Sequence, residues 1–269
     1  MSASHRTQLE IKDSIATVRL NRPDSHNGLD LEMFRSLIAH AKAIRKDKNI
    51  RAVILCGEGA SFCAGLDFKA VQRQPSLPAK IFLKWPWKKC NIAQQVANCW
   101  RELPVPVIAA VHGNCFGGGL QIALACDFRI STEDACWSVM EVRWGIIPDM
   151  SGTLALSKLT KYDTALELTM SGRIFSGLEA NQYGLVSQLS AHPEQSAQQL
   201  ANELIKGSPD ALAASKLLFR KTWQADNWLA LAWERWIQMR LMGRKNQRIA
   251  MQNGLKKENK PFAPRSRWW

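Results

Sequence analysis

Long hydrophobic runs are missing from this chain. No stretch of about 18 uncharged apolar residues occurs in its 269 residues, so no membrane-spanning helix is expected. The opening segment MSASHRTQLEIKDS has no apolar h-region, so no secretory signal is expected there. The seven cysteines (Cys56, Cys63, Cys90, Cys99, Cys115, Cys126 and Cys136) are odd in number, scattered and without a CxxC pair. That usage predicts reduced thiols in a cytoplasmic protein and argues against a zinc centre. The five histidines lie far apart, and no metal site is expected. No GxSxG elbow surrounds Ser138 or Ser151, which argues against a serine hydrolase. No GxxxxGK[ST] phosphate loop, low-complexity tract or repeat motif is present.

What is present begins with 46% hydrophobic residues, enough for a substantial core, and a formal net charge of +13. The basic residues cluster at 84–89, 216–221 and 240–260. A phosphate-rich cofactor, a nucleic acid or a plain solvated surface each accounts for such a charge. Residues 8–20 alternate about a turn at Asp13-Ser14 and read as a hairpin. Residues 31–46 carry apolar positions at helical spacing. Residues 52–59 and 107–113 are buried strands ending in glycine, and residues 128–132 form a short strand. Strand and helix alternate over about the first 190 residues, which predicts an α/β core. Residues 72–87, with three prolines, read as a loop. After Pro193 the pattern turns helical, with Trp223, Trp228, Trp233 and Trp236 as packing residues. The expected division is a core over 1–194 and a helical region over 195–269.

Three segments carry chemistry. SFCAGLD (residues 61–67) and HGNCFGGGLQ (residues 112–121) each follow a buried strand, and the second opens a helix. A triple glycine at a helix start leaves backbone N–H groups free and admits a ligand close to the main chain. The helix dipole adds positive potential, which suits a developing oxyanion. A tight turn is the plainer reading of such a run. In the third segment, WSVMEVRWGIIPDMSGT (residues 137–153), Glu141 sits among apolar neighbours, where desolvation raises a carboxyl pKa and suits proton transfer. Asp149 follows it eight positions later, just after Pro148. His112 reads as a packed core residue.

Together FCAGLD, GGGLQIALACD and EVRWGIIPDMSGT, in that order, resemble the crotonase superfamily of enoyl-CoA hydratases and isomerases. The likeness runs from Asn21-Arg22-Pro23 to Lys260-Pro261-Phe262. It implies an α/β fold: a crotonase-type spiral of repeated ββα units with a C-terminal helical oligomerisation region, assembled as a trimer or a pair of trimers. It implies a coenzyme A thioester substrate, with no permanently bound cofactor. The backbone N–H groups of Leu66 and Gly118 match the family's two oxyanion donors. Coenzyme A is expected along Ala64, Leu66, Asp67, Lys69, Gly117 and Gly118, with Lys69 and Lys260 toward its phosphates. The acyl pocket is expected at Gln121, Trp137, Trp144 and the loop around Trp85 and Trp87.

The chain departs from the hydratase pattern at one place. Hydratases use two glutamates; Glu141 matches the second, but the first falls on Gln121, whose amide cannot take a proton. Asp149 instead resembles the aspartate of dienoyl-CoA isomerases, although those also carry an acid where Gln121 stands. The resemblance therefore implies double-bond isomerisation with Glu141 and Asp149. Enoyl-CoA hydration, with Gln121 only positioning water, is the alternative. A non-catalytic or RNA-binding homologue is more remote, since no RNP-type aromatic motif is present.

Overall fold

The computed structural model describes residues 6–267 apart from 74–76 and 85. Two antiparallel strands, β1 (Thr7–Lys12) and β2 (Ile15–Leu20), open the chain, with Lys12 opposite Ile15. Their two-residue turn, Asp13-Ser14, has positive φ at both positions (50° and 66°). That turn geometry matches the twist of a hairpin. Asp30 caps the helix α1 (Leu31–Lys46), accepting from the Met33 N–H at 2.8 Å. The helix buries Met33, Phe34, Leu37, Ile38, Ala41 and Ile44 along one face.

Strands and helices then alternate: β3 (Ala52–Gly57), α2 (Phe68–Arg73), α3 (Leu77–Phe82), α4 (Ile92–Arg101), β4 (Val107–Val111), β5 (Asn114–Phe116) and α5 (Gly118–Leu124). They continue with β6 (Phe128–Ser131), β7 (Cys136–Ser138), α6 (Gly152–Leu159), α7 (Tyr162–Ser171), β8 (Phe175–Ser176), α8 (Gly177–Gln182), β9 (Gln188–Leu189) and α9 (Pro193–Leu204). Six strands form one sheet in the order β1-β2-β3-β4-β6-β9, parallel except for β1; β5, β7 and β8 form a second. The chain passes from the large sheet to the small one and then into a helix, first as β4, β5, α5 and again as β6, β7, α6. A bridge between Cys63 and Cys115 extends the small sheet toward the segment after β3. This repeated ββα turn is the crotonase-type spiral.

The apolar runs AVILC and VIAAV are continuous because the large sheet is covered on both faces. On β3, Val53 and Leu55 enter the main core, while Ile54 and Cys56 join Ile108, Ala110 and Ile130 beneath Ala197 and Ala201 of α9. The boundary expected at 194/195 therefore falls inside a helix that completes the sheet's second face. Beyond it lie α10 (Pro209–Thr222), α11 (Asn227–Leu241) and α12 (Lys245–Lys256). Lys216 ties α10 to the core: it pairs with Asp127 at 2.6 Å and donates to the carbonyls of Val105 (2.9 Å) and Trp100 (3.2 Å).

The loop expected over 72–87 is corrected, since α3 lies within it. Pro78 is the second residue of that helix, where a missing N–H removes no intrahelical bond. Among the described residues no helix is long and apolar enough to cross a membrane.

Candidate active site

The two glycine segments meet at one end of the small sheet. Gly65 has φ +88°, and a Cβ there would lie 2.8 Å from the Phe116 carbonyl oxygen and 3.5 Å from the Gly118 nitrogen. Only glycine lets the two backbones approach this closely. Leu29 N–H donates to Gly65 O (2.8 Å) and Asp67 N–H donates to Leu29 O (3.0 Å), a ladder that skips Leu66. Gly118 is the first residue of α5, so its N–H has no acceptor within the helix. Neither N–H finds a partner among the described residues. Both residues line a narrow cleft of about 40 Å³ together with Ala64, Gly117, Gln121, Glu141, Trp144 and Asp149.

Glu141 reaches this cleft from the short 3-10 turn Met140–Trp144 and is only 6% exposed. Gln121, on α5, is buried beside it. The Gln121 carbonyl accepts from the Met150 N–H (2.8 Å) and the Gly152 N–H (2.9 Å). Those two donors fix the amide, so its Nε2 faces Glu141 and donates to Oε1 at 2.6 Å. The other oxygen, Glu141 Oε2, is buried without a partner among the described residues. Burial pushes the Glu141 carboxyl above its ordinary range; the Gln121 hydrogen bond opposes this, and the Asp149 charge adds to it. Asp149, half-buried, is raised too, by burial. The cleft thus joins two unbonded N–H donors to a buried carboxyl with one free oxygen and a second carboxyl held toward its protonated form.

Some expected residues lie elsewhere. Trp137 is not in the pocket: it is fully buried on β7, packs in the core and donates to Ser131 Oγ at 3.2 Å. The strand's alternation turns it inward, so its size serves packing. Asp67 does not line the cleft; it accepts from Arg22 at 3.0 Å and from the Ala70 N–H at 3.1 Å. Lys260 lines a separate surface cavity and pairs with Glu258 at 2.8 Å. The Lys69 side chain and Trp85 lie outside the described residues, and Trp87 is 77% exposed and away from the cleft. His112 is half-buried rather than a core residue; its Nε2 bonds the Gly59 carbonyl at 2.8 Å.

The cleft also has an aromatic wall that the sequence did not reveal: Phe34, Phe68 and Phe82. The Phe68 ring stacks on Trp144 at 4.0 Å and 25°. Phe34 reads in sequence as one more apolar position of α1, and nothing separates it from the core face.

The family model described as enoyl-CoA hydratase/isomerase matches residues 10–263. The chain belongs to the enoyl-CoA hydratase/isomerase family. It is similar to the (E)-benzylidenesuccinyl-CoA hydratase of Thauera aromatica, with 35% identity over 187 residues, 67% of this chain and 68% of the relative. It is also similar to the short-chain-enoyl-CoA hydratase of Clostridium acetobutylicum, with 32% identity over 229 residues, 84% of this chain and 85% of the relative. The crystal structure of an enoyl-CoA hydratase from Bacillus anthracis superposes with a TM-score of 0.86 at 28% identity, covering 96% of this chain and 98% of that one. The span matched to the enoyl-CoA hydratase/isomerase family takes in every residue of the cleft.

Proposed function

We propose that this protein isomerises a double bond in an enoyl- or dienoyl-CoA thioester, working in the cytoplasm. The N–H groups of Leu66 and Gly118 donate to the thioester oxygen. Glu141 removes a proton from the carbon next to the thioester carbonyl. The electron pair moves into the carbonyl, giving an enolate that the two donors stabilise. Protonation further along the chain returns a proton, the double bond shifts, and the enolate collapses. Asp149, raised by burial, is the donor at the far end of a conjugated substrate; on a shorter 3-enoyl chain Glu141 makes both transfers.

One observation carries this reading. The amide of Gln121 is saturated at its oxygen by two backbone donors and offers Glu141 only an N–H. No proton acceptor for water stands there, whereas Glu141 Oε2 is free to take one from carbon. Hydration is the second reading, favoured by relatives whose names are those of hydratases. Product mass separates the two: isomerisation leaves it unchanged and hydration adds one water. With 3-enoyl- and 3,5-dienoyl-CoA we expect unchanged mass and a shifted ultraviolet spectrum. Glu141→Gln should lose about 10²–10⁴-fold in rate. Rapid water addition to 2-enoyl-CoA, indifferent to Asp149→Asn, would show the isomerase reading to be wrong.

A further inference from the structure

The geometry points to a second ligand site, an amphiphile-anion cavity between α4, α6 and α10, at the opposite end of α5 from the catalytic cleft. Its volume is about 560 Å³, within the usual range of about 300–1,000 Å³ for small-molecule sites. The cleft takes Gly117 and Gly118 at the start of α5; this cavity takes Leu124 and Ala125 at its end. The two spaces share no lining residue.

Five cations line it, and two are already engaged. Arg129 donates to the carbonyls of Cys126 and Leu185, both at 2.6 Å, and Lys216 is held by Asp127 and two carbonyls as described. The other three, Arg101 on α4, Lys158 on α6 and Arg220 on α10, make no hydrogen bond or ion pair among the described residues. All three are partly buried. Burial lowers the pKa of each; Arg101 and Arg220 lower that of Lys158 further, while the Asp127 and Glu102 charges partly offset the lowering at Arg101 and Arg220. Two carboxylates lie near, Asp127 in the cavity wall and Glu102 beside it, and each also has a partner of its own. Asp127 holds Lys216 and the Val107 N–H (2.8 Å), and Glu102 pairs with Lys89 at 3.0 Å. Five cations thus face one carboxylate, Asp127, around this cavity, and the excess positive charge favours an entering anion.

Apart from Asp127 and Ser215 the remaining walls are apolar, with Leu154, Leu159, Leu212 and Phe219 among them. A ligand that satisfies both halves carries a carboxylate or phosphate head, forked by the two guanidiniums, on a hydrocarbon or aryl body. Inorganic phosphate alone leaves the apolar wall uncovered, and a neutral lipid leaves the cations unpaired.

Isothermal titration of the full chain with octyl phosphate, octanoate, inorganic phosphate and octyltrimethylammonium tests this. We expect octyl phosphate and octanoate to bind, their ratio reporting which head is preferred, and the ammonium not to bind. Lys158→Met and Arg220→Met should each weaken binding about tenfold or more, with turnover of enoyl-CoA unchanged. Leu212→Trp, which fills the cavity without touching a charge, should weaken binding as well. Binding that survives all three substitutions, or inorganic phosphate binding as tightly as octyl phosphate, overturns the proposal. So does displacement of octyl phosphate by a coenzyme A ester, which would make this part of the thioester's own site. A change in sedimentation of Lys158→Met or Arg220→Met also overturns it, because a second copy of the chain would then supply the missing anion.

Discussion

At the residue scale, Glu141 and Gln121 behave as one unit. The folded chain holds the Glu141 proton more tightly than the unfolded chain, whose carboxyl titrates near 4.5. Between those two values the folded state binds more protons, so stability falls as pH rises through the window. Glu141→Gln, which mimics the protonated acid, should therefore raise the melting temperature at pH 8 and leave it nearly unchanged below pH 4. Equal effects at both pH values would mean that burial does not perturb this carboxyl. Gln121→Met tests the other half. It removes the bond that lowers the Glu141 pKa, so the acid limb of the pH–rate profile should move to higher pH. It also strands the Met150 and Gly152 N–H groups, costing about 1–3 kcal/mol each, read as a lower denaturation midpoint. The identity of Gln121 is plain in the sequence; its fixed orientation is not, because its two donors lie 29 and 31 residues away.

At the scale of elements, the spiral depends on short-range backbone contacts and one partly buried ion pair. Gly65→Ala places a Cβ 2.8 Å from the Phe116 carbonyl oxygen at φ +88°, so it should both destabilise the fold and push Leu66 and Gly118 apart. We expect kcat to fall by more than the unfolded fraction explains, measured as specific activity per folded molecule. Lys216 and Asp127 join α10 to the start of β4. Lys216→Met leaves the partly buried Asp127 without its cation and should cost about 1.5–3 kcal/mol, seen in urea denaturation. The hairpin and α1 were legible by their periodicity, and the two buried strands as short continuous apolar runs ending in glycine. The helix α3 was not, because three prolines over 72–87 suggested a loop, yet a proline in the first helical turn removes no hydrogen bond.

At the scale of the whole molecule, the C-terminal helices present several large apolar side chains to solvent. Trp228 (75% exposed), Met239 (78%) and Trp236 project from α11. We propose that this surface is covered by other copies of the chain in a trimer or a pair of trimers. Light scattering should then give a mass at least three times 30.2 kDa. Trp228→Glu combined with Met239→Glu should lower that mass while helicity by circular dichroism persists. A monomeric mass for the unaltered chain would overturn the assembly.

The sequence by itself determined the alternation of strand and helix, the glycine turns, and the candidacy of Leu66, Gly118, Glu141 and Asp149. Each depends on local backbone requirements or on residue chemistry in a short, ordered motif. Tertiary structure decided the rest. It took Trp137 into the core and brought Trp144 to the cleft, although both are tryptophans of the same segment, because a strand's alternation and a 3-10 turn aim them differently. It engaged Asp67 with Arg22 across 45 residues and placed three cations from three separate helices, without a hydrogen-bond or ion-pair partner among the described residues, around one cavity. Side-chain direction and long-range pairing are properties of the packed chain, and no spacing rule in a single sequence encodes them.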